Sequence, residues 1–120
     1  IDTSSPKDTP KDIDNLLSWY NSIENVTLED IIEFHYRFEK IHPFGDGNGR
    51  CSRALLNWTY RLKRLPPIYI KFPEKDEYYD GLKNVDTKGN YDKLYKVFMR
   101  ETIRSAMKLN KISIDENLED

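Results

Sequence analysis

The 120-residue chain has one cysteine, little net charge, no long apolar run and no sustained two-residue alternation. Each of these shortages excludes something. Cys51 has no partner for an internal disulfide, which fits a reducing compartment and predicts a cytoplasmic location. No apolar run approaches the ~18 residues of a membrane-spanning helix, and no signal-peptide pattern opens the chain, so no membrane association is expected. Nineteen basic against 21 acidic residues give a net charge of −2. That is no basic footprint for coating nucleic acid, whose non-specific binding rests on positive charge. Without strand-type alternation the predicted fold class is all-α. What the chain does have is a core's worth of apolar material, 38% hydrophobic residues with eight Tyr and five Phe, and its length suits a single domain.

Residues 1–8 are polar and without hydrophobic period, so they read as a loop. Thr9-Pro10-Lys11-Asp12 predicts a helix start, with Thr9 as N-cap, Pro10 at the first helical position and Asp12 closing a capping box. Ile13, Leu16, Leu17, Tyr20 and Ile23 follow at helical spacing. Thr27-Leu28-Glu29-Asp30 predicts a second start, and Leu28, Ile31, Ile32, Phe34, Phe38 and Ile41 carry its apolar surface to His42. Pro43 should end that helix, because a residue before proline is pushed out of the helical region. From Asn48 the period resumes through Cys51, Ala54, Leu55, Trp58, Leu62 and Leu65, until Pro66-Pro67 stops it. A short extended piece is expected at 68–70. A fourth helix is expected from Pro73 to about Asn84, and a fifth from Tyr91 to about Asn110. The domain reading is thus a polar loop over 1–8, a helical core over 9–112 and a frayed acidic tail over 113–120.

Between the second and third helices lies His42-Pro43-Phe44-Gly45-Asp46-Gly47-Asn48-Gly49-Arg50-Cys51-Ser52-Arg53. Gly47, Asn48 and Gly49 lead into a helix whose first N–H groups have no intrahelical acceptor. Such an end binds anions, and glycines let a phosphate come close to the backbone. Arg50 and Arg53, three residues apart, can add charged donors. Asp46 is a hard oxygen ligand beside this cradle, where Mg²⁺ would belong. His42 is the residue type suited to accept a proton near neutral pH. Together they suggest attack of a hydroxyl on a phosphate ester, a reaction carried mostly by positioning and charge stabilisation. Taken singly each feature has a plainer reading: a turn, a solvated arginine pair, a histidine capping a helix C-terminus.

The order of these residues resembles the Fic motif, His-x-Phe-x-Asp/Glu-Gly-Asn-Gly-Arg-x-x-Arg, with every defined position met from His42 to Arg53. Leu65-Pro66-Pro67-Ile68 and Tyr78-Tyr79 with Leu82 look like the family's usual continuation, so the resemblance spans about residues 13 to 110. It implies a Fic-type bundle of about five helices with the motif loop between two central ones. The implied activity is transfer of AMP from ATP to a Tyr, Thr or Ser hydroxyl of a target protein. His42 would be the general base and Asp46 the Mg²⁺ ligand. Gly47, Asn48 and Gly49 would hold the α- and β-phosphates, Arg50 and Arg53 the β- and γ-phosphates. Phe44 would anchor the loop, and Tyr79 would line the nucleotide pocket.

The family's self-inhibitory pattern, Ser/Thr-x-x-x-Glu-Gly/Asn, is not met. Glu116-Asn117 has its ending, but Ile112 stands where the hydroxyl should be. Inhibition by a partner protein, antitoxin-like, is therefore one expectation. The family's target-docking hairpin precedes the first helix, and residues 1–8 would hold only its tail. The rival functions are another nucleotide or phosphocholine donor, a kinase like the Doc relatives, a partner-silenced toxin and a non-catalytic nucleotide-binding module. Doc relatives depart from the motif at Gly49, which weakens that reading. His35 reads as a satisfied core histidine, Cys51 as a small, partly buried residue at a free motif position, and Arg61, Lys63 and Arg64 as a solvated face. Trp58, Tyr91, Leu94, Tyr95 and Phe98 read as core.

Overall fold

A computed structural model describes residues 3–42, 47–69 and 75–119, with side chains described up to residue 111. Its elements are α1 (Thr9–Asn21), α2 (Leu28–Ile41), α3 (Asn48–Leu62), α4 (Lys75–Lys88) and α5 (Asp92–Glu119). No strand occurs among the described residues, and the fold is all-α. None of the helices among the described residues is long and apolar enough to cross a membrane. The chain divides into two compact units, 1–59 and 60–120, with the boundary inside α3.

In the first unit, α1 begins one residue earlier than predicted. Asp8 is the N-cap and supplies no side-chain cap bond, while Thr9 is already helical and Pro10 sits in the first turn. The predicted box fails because its members are engaged elsewhere. The Thr9 hydroxyl donates to the Ser5 carbonyl at 2.9 Å, and the Asp12 carboxylate accepts from Ser4 Oγ at 2.6 Å. The start of α2 forms as read: Thr27 Oγ1 accepts from the Asp30 amide and the Asp30 carboxylate accepts from the Thr27 amide. That reciprocal pair satisfies two end donors at once. Leu16, Phe34, Phe38 and Ile41 form one buried cluster of the core, with Ile13, Trp19, Tyr20, Cys51 and Leu55 packed against it. Leu17 is exposed instead, and Trp19, with the Arg37 guanidinium 4.6 Å over its ring, takes the inward place.

The face that α3 buries differs from the predicted stripe. Trp58 and Leu62 are exposed, Trp58 by 55%, whereas Asn48, Ser52, Leu56, Thr59 and Tyr60 are buried. Periodicity selects the largest apolar residues, but burial also admits hydroxyls that find acceptors. Thr59 donates to the Leu56 carbonyl at 2.7 Å, and Ser52 meets His35. The helix closes with Arg64 in the left-handed region (φ 58°) and the Leu65 amide donating to the Tyr60 carbonyl at 2.9 Å, a Schellman-type end. Ile68 is buried, but 65–69 form no strand, and Ile70 lies outside the described residues.

The second unit is built on α4 against α5. Tyr78, Leu82 and Val85 are buried on one helix, and Leu94, Val97 and Phe98 on the other. Gly81 allows the close approach, since a Cβ there would lie 3.0 Å from the Leu94 Cα and amide nitrogen. Tyr91 and Tyr95 are partly buried and stack at 5.4 Å. The Tyr60 hydroxyl lies 2.8 Å from Thr102 Oγ1, which itself donates to the Phe98 carbonyl. Burial pushes the Tyr60 hydroxyl up to about 12. The Arg100 guanidinium meets Glu77 at 2.7 Å. The fourth helix starts at Lys75, and Pro73, its predicted first residue, is outside the described residues. The fifth continues to Glu119, well past Asn110 and through the predicted frayed tail, because neither Gly nor Pro follows Gly89 to stop it.

Candidate active site

Seven of the eight predicted site residues lie among the described residues; His42 stands at the end of α2, and Gly47, Asn48, Gly49, Arg50 and Arg53 stand at the start of α3. His42 is the C-cap of α2, its amide donating to the Phe38 carbonyl at 3.1 Å. It holds φ 52° and ψ 61°, the left-handed conformation for which helix ends ordinarily use glycine. A non-glycine residue there costs roughly 1–2 kcal/mol, and strain of this kind gathers at functional sites. The imidazole is exposed, so no packing gain offsets that cost.

Gly47 enters α3 with φ 82°, and its carbonyl accepts from the Cys51 amide at 3.0 Å, the first bond of the helix ladder. The N–H groups of the next turn therefore point out of the helix end. Asn48 is buried at that end, and Gly49 and Arg50 are exposed. Each arginine lies over a glycine. A Cβ at Gly47 would sit 3.2 Å from Arg50 Nη2, and one at Gly49 would sit 3.1 Å from Arg53 Nη1. The glycines thus give room for the guanidinium groups as well as for the backbone turn.

Charge at this end runs against the ordinary preference of a helix. An N-terminus carries partial positive charge and favours acidic residues. The first turn of α3 has none, and two arginines fold over it instead. Towards an anion at this end, the helix donors and the two guanidinium charges act in the same sense.

Asp46 and Phe44 lie outside the described residues. No group of three His, Cys, Asp or Glu suited to a metal occurs among the described residues. The donor chemistry still fits Mg²⁺, because Asp46 is the one carboxylate between His42 and Arg53 and phosphate oxygens normally supply other ligands. Tyr79 is on α4 in the second unit, 60% exposed, its ring T-shaped to that of Tyr78 with centroids 5.3 Å apart.

Sequence reasoning passed over Ser52. It lies 3.2 Å from His35 Nδ1, and both side chains are buried, at 2% and 4% exposure. Burial lowers the His35 imidazole from 6.5 to about 4, so it is neutral at ordinary pH. The signal was present in the numbering. His35 is seven residues before His42, and Ser52 four after Asn48, so each shares a helix face with a site residue. Cys51, by contrast, packs against the apolar core.

A family model described as the Fic/DOC family matches residues 1–60, half of the chain, including all of the motif. The chain belongs to the Fic/DOC family. Protein adenylyltransferase Fic of Nematostella vectensis is 37% identical to this Fic domain over 82 residues, 65% of this chain and 19% of that protein. Protein adenylyltransferase fic-1 of Caenorhabditis elegans is 32% identical over 81 residues, 65% of this chain and 16% of that protein. The chain thus spans less than a fifth of the length of these curated relatives. Among solved structures, a Fic-domain-containing signaling protein from Bacteroides thetaiotaomicron superposes with a TM-score of 0.74 at 28% identity, over 86% of this chain and 45% of that one. Fic-1 from C. elegans superposes with a TM-score of 0.75 at 26% identity, over 94% of this chain and 34% of the other.

Proposed function

We propose that this Fic domain is a protein adenylyltransferase that moves AMP from ATP onto a Tyr, Thr or Ser hydroxyl of a target protein. The observation that carries the reading is the pairing of Arg50 with Gly47 and Arg53 with Gly49 at the positive end of α3. That arrangement is unfavourable for an isolated helix and favourable for a polyphosphate. The names of the relatives support the same chemistry.

In the reaction the target hydroxyl oxygen attacks the α-phosphorus. The bond from that phosphorus to the bridging α–β oxygen breaks, and pyrophosphate leaves. His42 takes the hydroxyl proton at an imidazole nitrogen as the new bond forms. Gly47, Asn48 and Gly49 bind the α- and β-phosphates, and Arg50 and Arg53 bind the β- and γ-phosphates. Asp46 would hold Mg²⁺, which when bound neutralises charge building on the phosphate oxygens. A side chain at 49 would crowd the Arg53 guanidinium, whereas Gly49 leaves it room over the helix end. A partner protein that covers Arg53 would silence the site.

The test is intact-mass analysis of candidate targets incubated with this chain, ATP and Mg²⁺, with His42→Ala alongside. An AMP-sized adduct that disappears in the variant is expected. A phosphate-sized adduct would replace the reading with a kinase. Nucleotide binding without any adduct, with ATP, GTP, UTP or CTP, would replace it with a binding module.

A further inference from the structure

The helix that ends in His42 and the helix that begins the phosphate cradle are separate elements, and transfer needs their relative register held closely. A misplacement of about 1 Å can cost about a hundredfold in rate. Apolar contacts such as those of Cys51 and Leu55 with the core resist separation but set no direction. A buried hydrogen bond does, because it is lost on a small slide or rotation.

Among the described residues, His35 and Ser52 make such a contact between α2 and α3, Nδ1 to Oγ at 3.2 Å. Ser52 lies between Arg50 and Arg53 in sequence and one turn beyond Asn48. His35 lies two turns before His42 on the same face of α2. The contact therefore ties the two halves of the site within a turn or two of each. Burying two polar groups costs more than an apolar pair would unless each is satisfied. Stability alone gives no reason to place them there. We propose that His35 and Ser52 are positioning residues, which hold the start of α3 in register with His42 through their buried hydrogen bond. The proposal rests on the adenylyltransferase reading for its rate predictions. The neutral state of His35 agrees with it, since a neutral imidazole has one donor and one acceptor nitrogen to share.

The test measures kcat and KM for ATP in Ser52→Ala, His35→Gln, the double variant and His35→Asn, each below its own melting temperature. An asparagine amide can stand where Nδ1 stands, whereas a glutamine amide reaches towards Nε2 and loses Ser52. Ser52→Ala and His35→Gln should each lower kcat about tenfold with a smaller change in KM. The double variant should be no worse than the poorer single, and His35→Asn should keep most of the wild-type kcat. Wild-type kcat in Ser52→Ala, losses that multiply in the double variant, or no advantage of Asn over Gln would each overturn the proposal.

A second readout needs no activity. The chain has two histidines, so the His42 imidazole proton signal can be assigned by elimination. It should shift in Ser52→Ala, and an unchanged signal overturns the proposal. If wild type transfers no AMP, the adenylyltransferase reading falls by itself, and the His42 signal alone then decides the positioning.

Discussion

Replacing His42 by glycine should stabilise the first unit while abolishing AMP transfer. His42 holds φ 52° at the C-cap of α2, where a side chain costs roughly 1–2 kcal/mol relative to glycine. Glycine adds freedom to the unfolded chain, which takes back about 0.4–1 kcal/mol. The imidazole is exposed, so no buried area is lost. The net is a gain of about 0.5–1 kcal/mol. His42→Ala is the control, since it removes the imidazole but keeps a Cβ in the left-handed conformation, and it should leave stability nearly unchanged. Both tryptophans, Trp19 and Trp58, lie in the first unit, so denaturant unfolding followed by tryptophan fluorescence reports the right region. Wild-type stability in both variants, or a loss in His42→Gly, would refute the claim that His42 is retained against a backbone cost for its chemistry.

Acid should weaken the first unit through His35. Its imidazole stands at about 4 in the fold against the usual 6.5, so the unfolded chain takes the proton more readily. That stability is present above the unfolded value and is lost as pH falls towards the folded one. Between about pH 7 and about pH 5 the loss is about 2 kcal/mol. It should be missing from His35→Asn in parallel denaturant titrations, and identical pH slopes would contradict it. Gly81→Ala places a Cβ 3.0 Å from the Leu94 backbone, which cannot swing aside, and should destabilise α4 against α5 by about 1–2 kcal/mol in thermal melts followed by circular dichroism, despite alanine's better helix propensity. Arg64→Gly relieves a left-handed residue at φ 58° and should stabilise by about 1 kcal/mol; a lowered melting temperature would mean that the Arg64 side chain makes a compensating contact.

The sequence by itself determined the five helices, the start of α2 and its end at His42, and the start of α3 at Asn48. α2 starts at Thr27 as read, and the capping box that Thr27 and Asp30 form there is a local device, complete within four residues. The candidate site residues could be named for the same reason, since His42 through Arg53 are contiguous in the chain. Tertiary structure decided which faces are buried and how groups are held. Only in the fold does Ser52 meet its partner His35, while Thr59 is satisfied by the Leu56 carbonyl of its own helix, and the face of α3 with these hydroxyls is buried where Trp58 and Leu62 are exposed. Ser4 and Ser5 draw Asp12 and Thr9 away from the predicted cap of α1. Pro43 foretold that α2 would end, but the left-handed turn at His42 and the laying of Arg50 and Arg53 over glycines depend on backbone geometry around the loop. Hydrophobic period records what a side chain is, while burial depends on whether its polar atoms find partners, and those partners lie on other helices or in other turns.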